Sequence, residues 1–453
     1  MDSDPLKDKF DQFFNYRIKQ SRQINLPLPL VCSRKFDKVD MLAWLGNQPE
    51  YPKIYWQNRH KSLAIAGTGI GFQIDLQDEV FRENWYWQNI VKTTVSDKSF
   101  LFYAQSFDPV QSPGELWYGF ALNQVFIPRR FIIDDGVYFY CCFSATITPD
   151  SNPDDFSDEV EWLESLEPDF PNLSIPRSMT LPSFIKHKPD VNEWRKLVNS
   201  ALNRFNDGLM KKVVLARQSD YLNTGNIAPF DLFNLLRQHN AATSALYYQA
   251  DPDKAFMSFT PEKLYRRENK KIEIDALSST AMRGRNDEED QQRAVELLNN
   301  DKQKREHQIV IDTIEKALNR IGENTKTGET GVLSLDHLQH LYTPVTADLR
   351  TDIDDRQIIG ELHPTPAVGG EDRDSALKYI RTHEPFKRGW YAAPIGLISE
   401  RYSEIAVAIR SLLLHGNEIS VFTGAGIVSG SKADTEWREL NSKNILNCLT
   451  GEG

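Results

Sequence analysis

Cysteine is scarce in this 453-residue chain: Cys32, Cys141, Cys142 and Cys448 are all there are. None of them has the spacing of a zinc or redox motif. That removes a disulfide framework from consideration and predicts reduced structural thiols, as in a cytosolic protein. Long apolar runs are missing too. No stretch approaches the roughly 18 residues needed to cross a bilayer. The charged opening MDSDPLKDKFDQFFNYR lacks the apolar core of a secretory signal. A cytoplasmic protein with no membrane partner is expected. Positive charge is in deficit, with 53 Lys and Arg against 64 Asp and Glu and a formal net charge of -11. With no long basic stripe, nucleic acid is not an expected partner. Internal repeats and low-complexity tracts are absent, and the nine histidines form no zinc-type pair on one helix.

The remaining composition is that of a folded globular protein, with 40% hydrophobic and 26% charged residues. Between Tyr51 and Ala145, short aromatic-rich segments such as KIYWQN, SLAIAG, FLFYAQSF and GVYFYCCFSATI alternate with turns and predict strands. The acidic stretch PDSNPDDFSDEVEWLESLEPDFPNLSIPRS predicts a solvated connection containing one helical turn. VNEWRKLVNSALNRFNDG reads as an amphipathic helix closed by Gly208, and KKVVLAR as the strand after it. Beyond it, strands (KIEIDAL, IAVAIRSLLL, EISVFTGAGIV) mix with helices (EEDQQRAVELLNNDKQKREHQIVIDTIEKALNRIG, TEWRELNSKNILNCL). Tight connections such as LLLHGNEIS favour antiparallel pairing, hence a mixed α/β or α+β architecture and not a doubly wound parallel sheet.

Several residues stand out chemically. Strand side chains alternate faces, so Lys211 and Lys212 must point opposite ways, and one is expected to point into the protein. The segment AGTGIGF at Ala66–Phe72 lacks the helix that follows a dinucleotide loop and reads as a turn. DEED at Asp287–Asp290 reads as a solvated face or a helix start. In DKQKREHQIVIDTIEKAL, the apolar stripe Val310, Ile314, Ala317, Ile321 reaches Glu306 when extended back one turn. A carboxylate on that line must be paired or hold a metal, unless it merely ends the stripe in solvent. Glu439 and Lys443 sit at i and i+4 of a helix, which fits a surface ion pair equally well. TGAGIV, with Gly424 and Gly426, could bring backbone N–H groups close to an anion or form a plain turn. Glu262 follows Pro261 at a strand boundary, and LHPTPAVGG is a rigid segment that lines a site or acts as scaffold.

Eight of these pieces occur in one order: KVVLAR, FTPEKL, a KxxREH helix, HLYTP, LHPTPAVGG, RGWYAAPIG, IAVAIR and TGAGIV followed by EWxELxxK. That order resembles the chorismate-utilising enzymes, which include isochorismate synthase, salicylate synthase, anthranilate synthase component I and aminodeoxychorismate synthase. The resemblance is strong from about Asn192 to Leu446 and looser before, through YPKIYWQNR and AGTGIG. It implies an α+β fold of two stacked antiparallel sheets flanked by helices. Residues 1–190 would be the strand-rich part, and 191–453 the chorismate-binding region, of one large domain. It also implies a Mg²⁺ ion held by Glu306 and Glu439, a suitable arrangement for a hard cation that shares its shell with substrate oxygens. Arg410 would grip a substrate carboxylate as a guanidinium fork. The backbone at Gly424, Ala425 and Gly426, with Thr280, His340, Tyr391 and Lys443, would complete the substrate contacts.

The position of Lys212 divides the family. Enzymes that add ammonia to the ring carry glutamine there, and those that add water carry lysine. A lysine withdrawn from water loses basicity and can take a proton near neutral pH. The resemblance therefore implies Lys212 as the base that activates water for attack at ring carbon 2. Glu262 would be the acid that protonates the hydroxyl leaving carbon 4. The implied reaction is chorismate to isochorismate, with chorismate the partner and the protein a monomer. Alternatives are a salicylate synthase, which would also eliminate pyruvate, and a catalytically inactive relative. The small Ala367 favours the synthase alone, whereas Ser278-Ser279, where the family usually has Ala-Gly, is expected to disturb the substrate pose. The product could feed menaquinone, siderophore or salicylate synthesis.

Overall fold

The computed structural model describes residues 6–75, 90, 99–112, 114–167, 170, 180–334 and 338–450, without the side chains of residues 279, 280, 302, 306, 338 and 450. Its strands are β1 (Leu28–Phe36), β2 (Lys53–Gln57), β3 (Ala64–Thr68), β4 (Phe72–Ile74), β5 (Leu101–Gln105), β6 (Asn123–Ile127), β7 (Arg130–Asp134), β8 (Phe139–Ile147), β9 (Ser183–Lys188), β10 (Lys212–Leu222) and β11 (Ser244–Asp251). There follow β12 (Lys254–Thr260), β13 (Lys263–Glu268), β14 (Lys271–Met282), β15 (Gly322–Thr327), β16 (Gly331–Ser334), β17 (Leu338–Leu349), β18 (Gly370–Glu371), β19 (Pro394–Ile398), β20 (Tyr402–Val407), β21 (Ser411–His415) and β22 (Glu418–Val428). One sheet runs β1-β8-β7-β3-β2-β11-β12-β21-β22-β10-β18, with β9 also on β10. The other runs β15-β17-β14-β13-β20-β19-β5-β6-β4, with β16 also on β17. The strand pairs described are antiparallel, as the short turns predict. Both sheets draw strands from before and after residue 190.

Aromatic residues fill the space between the sheets. Phe102 of β5 stacks on Tyr248 of β11 at 5.9 Å, and Trp390 lies 4.9 Å from Tyr248. A second core covers the outer face of the first sheet, beneath helices Leu6–Ile24, Met41–Gly46, Ser157–Ser165 and Pro229–Gln238. Strands near the middle of that sheet are therefore apolar on both faces, which is why Val213–Ala216 reads as a continuous run. The expected solvated connection after Pro149 is corrected here. It contains a nine-residue helix, Ser157–Ser165, whose Val160 and Leu163 are buried against helix Leu6–Ile24. Asp158, Glu161 and Glu164 lie on the helix's outer face while Glu159 is buried against Arg129, and the two apolar residues three apart were the signal.

The Ala66–Phe72 glycines form a strand and turn, as predicted, with Gly69 at φ +64. All four thiols are free. Burial pushes those of Cys32 and Cys141 up to about 12, so they are inert at neutral pH. Among the described residues no helix is long and apolar enough to cross a membrane.

Candidate active site

Of the predicted residues, Lys212, Gly424, Ala425 and Gly426 lie where β10 and β22 run side by side, with Tyr391 and Lys443 against them. The register of the two strands sets Lys212 opposite Val428, Val214 opposite Gly426 and Ala216 opposite Gly424. A Cβ built on Gly426 would lie 3.5 Å from Lys212 Cε, so the Lys212 side chain passes over that glycine. A Cβ on Gly424 would lie 2.5 Å from the Tyr391 hydroxyl. Gly424 is thus needed for the close approach of Tyr391, whereas Gly426 makes only an ordinary contact with the Lys212 stem, and the plain-turn reading of TGAGIV gives way to a strand. Lys211 points the other way, 78% exposed, with Nζ 3.3 Å from Glu371. The two lysines do divide between the faces, and Lys212 is the one turned inward.

Glu262 sits just past β12. Its amide donates to Thr260 Oγ1 at 3.1 Å, and its carbonyl accepts from the Val407 amide at 3.0 Å. Its carboxyl accepts a hydrogen bond from Thr365 Oγ1 at 3.2 Å. Burial pushes it up to about 7, against the opposing pull of Thr365, Lys212 and Lys443. Lys212 and Glu262 are therefore within electrostatic reach of each other, with Glu262 held near the pH at which an acid can both keep and give up a proton.

Lys443 closes the cluster. Its ammonium donates to Glu439 Oε1 at 2.6 Å and to the Gly424 carbonyl at 3.0 Å. The i, i+4 pair is therefore no isolated surface pair; it ties helix Ala433–Ser442 to the glycine strand. Glu436, which the sequence reading missed, is hydrogen-bonded to Glu439. Burial raises its pKa, and the Glu439 carboxylate adds to the rise. Two carboxylates in contact on one helix face are a donor set suited to a divalent cation. Their spacing in EWRE, three residues on one helix face, was the signal. The Glu306 carboxylate lies outside the described side chains, and among the described residues no three acidic, His or Cys groups gather as a metal site.

Arg410 adopts φ +48, and burial lowers its pKa. Among the described residues its guanidinium has no carboxylate partner, which leaves it able to take one. Tyr391 is buried and stacked on Phe422 at 5.4 Å, and burial raises its hydroxyl well above the ordinary range. Thr280 pairs directly across from His340 on β17, after a bulge in β14 that leaves Ser279 as the extra residue.

The stripe of helix Asp301–Ile321 is buried at Val310, Ile314, Ala317 and Ile321, as predicted. One turn back, the residue on that line is His307, 2% exposed, which the sequence reading passed over. His307 Nδ1 lies 2.7 Å from Ser278 Oγ and Nε2 lies 2.7 Å from Thr343 Oγ1. Burial lowers its pKa to about 4, so the ring is neutral. Ser278 is therefore occupied as a partner for His307. Ser278→Ala should cost about 1 kcal/mol in denaturant unfolding, the net value of one such bond, with kcat within about twofold of wild type. A tenfold loss of kcat would return Ser278 to the substrate.

Comparisons with known proteins find relatives along nearly the whole chain. A family model described as chorismate binding enzyme matches residues 16–449. The chain belongs to that family. Among curated relatives of this chorismate-binding chain is isochorismate synthase MenF of Bacillus subtilis, 28% identical over 96% of this chain and 97% of the relative. MenF of Escherichia coli is 29% identical over 93% and 92%. The solved structure of Escherichia coli MenF, titled as the menaquinone-specific isochorismate synthase, superposes with a TM-score of 0.80 at 25% identity, covering 97% of this chain and all of that one. Anthranilate synthase component I from Streptococcus pneumoniae shares the fold, with a TM-score of 0.68 at 20% identity.

Proposed function

We propose that this chorismate-binding enzyme is an isochorismate synthase that exchanges one ring hydroxyl for another with Lys212 as base and Glu262 as acid. The observation that carries the reading is the electrostatic pull of Lys212 on a buried Glu262 held at about 7. Isochorismate synthases that align over nearly the whole chain support the substrate and the product. Lys212 takes a proton from a water as its oxygen bonds to ring carbon 2. Glu262 gives a proton to the hydroxyl at carbon 4, which leaves as water while the ring double bonds shift. One water enters and one departs, so the net change is an isomerisation. Arg410 holds a substrate carboxylate, and the Gly424–Gly426 backbone with Tyr391 walls the ring. Glu439 and Glu306, with Glu436 beside them, would hold Mg²⁺, which when bound supplies positive charge to the substrate's ring carboxylate.

The test is an NMR time course of the protein with chorismate and Mg²⁺ and without ammonia. Isochorismate in a mixture with chorismate is the expected outcome. Pyruvate and salicylate would move the protein to the eliminating branch, and untouched chorismate would sink the reading. A relative named salicylate biosynthesis isochorismate synthase, from Pseudomonas aeruginosa, aligns over 94% of the chain. Its name keeps the isomerising step and adds no elimination.

Glu262→Gln should bind chorismate without turnover, because the amide has no proton to give. In the wild type, activity should fall as pH rises through about 7, where Glu262 loses its proton. The same shift makes a stability claim. Between the unperturbed 4.5 and about 7, the folded state keeps a proton that the unfolded state has lost, so stability falls as pH rises through that window. The fully developed cost is about 3 kcal/mol. At about pH 8 the Gln variant should unfold at higher denaturant than wild type, and that advantage should vanish below about pH 4.5. A variant that turns over normally would remove Glu262 as the acid.

A further inference from the structure

We infer that Thr365 is the positioning residue that decides which oxygen of Glu262 carries the transferable proton. The inference rests on the proposed role of Glu262 as the acid and deepens it. Thr365 lies between Pro364 and Pro366 in the LHPTPAVGG segment. Its hydroxyl makes two contacts of opposite sense. The oxygen accepts from the Ala367 amide at 3.3 Å, and the hydrogen goes to Glu262 Oε1 at 3.2 Å. A hydroxyl has one hydrogen to donate. With the amide fixing its oxygen, that hydrogen is left to aim at the carboxyl. Oε1 is thereby committed as an acceptor, and the acid proton of Glu262 is confined to Oε2.

The segment is built to hold that aim. The Thr365 carbonyl accepts from the amides of Val368 at 3.2 Å and Gly369 at 2.9 Å. The Val368 carbonyl accepts from the buried Arg388 guanidinium at 2.8 Å, and the same guanidinium donates to the Val214 carbonyl on β10, two residues from Lys212. The base strand and the Thr365 segment thus hang on one side chain. Glu262 and Thr365 themselves line a cavity of about 190 Å³ whose wall mixes Leu264, Ile274 and Val310 with Lys263, Asp275 and Arg373. The charged groups around Glu262 are Lys212 from β10 and Lys443 after helix Ala433–Ser442. Lys263 and Asp275, on the cavity wall, are bound to each other at 3.1 Å, and Glu371 is taken by Lys211.

Thr365→Val keeps the shape and removes the hydroxyl, and Thr365→Ser keeps the hydroxyl. In Thr365→Val, kcat should fall about tenfold or more, as expected when proton transfer loses its alignment, with KM for chorismate within about twofold. The alkaline limb of the pH profile should move to higher pH, because the lost bond favoured the charged carboxylate. Thr365→Ser should restore both. A purely structural role would not move the limb and would not be rescued by serine. The carboxyl titration of Glu262, read by ¹³C NMR in substrate-free protein and assigned with Glu262→Gln, separates the two levels of the reading. An active enzyme whose kcat and Glu262 titration are unchanged in Thr365→Val overturns the assignment of Thr365 alone. A titration that moves as expected in a protein that makes no isochorismate overturns the catalytic reading of Glu262, and this assignment with it. Should the valine variant fail to fold, Thr365→Ala takes its place with the same expectations.

Discussion

Lys212→Ala should give a folded protein that still binds chorismate in the presence of Mg²⁺ but forms no detectable isochorismate. The loss expected for a positioned base is about 10²- to 10⁴-fold in kcat. Binding should survive because the groups proposed to grip the substrate are elsewhere. Arg410, Tyr391, the Gly424–Gly426 backbone and Lys443 keep their own supports, including the Lys443 bond to the Gly424 carbonyl. Folding should survive because Lys212 is the first residue of β10. The next ten residues pair with β22 in unbroken register, and Val213–Ala216 carry the burial. Removing the lysine stem over Gly426 opens space at the edge of the site and none in the core. Calorimetric titration with chorismate would check binding, and an NMR time course would check turnover. Conversion at near wild-type rate would end the assignment of the base, whatever happened at Glu262.

How much of this was readable beforehand follows from where each signal lives. The alternation of faces along an apolar strand showed that one of Lys211 and Lys212 turns inward, and the family resemblance picked Lys212. Glu439 and Lys443 were legible as a helical pair, but the bond from Lys443 to Gly424 depends on how β22 packs beside helix Ala433–Ser442. Strand order across the sheets was beyond reach. β2 pairs with β11 and β12 with β21, joining segments more than 100 residues apart with no local mark of the partner. His307 was overlooked because a histidine on an apolar line is unremarkable until Ser278 and Thr343 are seen on either side of it. Thr365 was overlooked because its partner, Glu262, comes from the far side of the chain's long middle section. The resemblance to a family supplied roles where periodicity left two readings open, as it did for Glu306.

The largest stability effect should come from Arg388, a residue no sequence pattern picked out beyond its place in RGWYAAPIG. Its guanidinium is 4% exposed as a residue and sits against Glu384, with Nε 2.9 Å from Oε2 and Nη2 2.5 Å from Oε1. It donates as well to the carbonyls of Val214 and Val368, both at 2.8 Å, and Glu384 Oε1 accepts from the Ala216 amide at 2.8 Å. Arg388→Ala would strand a buried carboxylate and leave two buried carbonyls without their donor. Breaking one side of such a pair costs about 3–5 kcal/mol, which for an ordinary domain is a large share of the total. Glu384→Ala should cost a similar amount, and the double variant clearly less than the sum, because the second removal no longer strands a charge. Denaturant unfolding of the three variants reads all of this. A loss below about 1 kcal/mol in Arg388→Ala would show that solvent reaches the pair and screens it. The variant that remains folded at low temperature should also be slow, since Val214 leads to Lys212 and Val368 to Thr365. Its kcat should then fall while chorismate binding, for which Arg410 and the glycine strand are proposed, is largely kept.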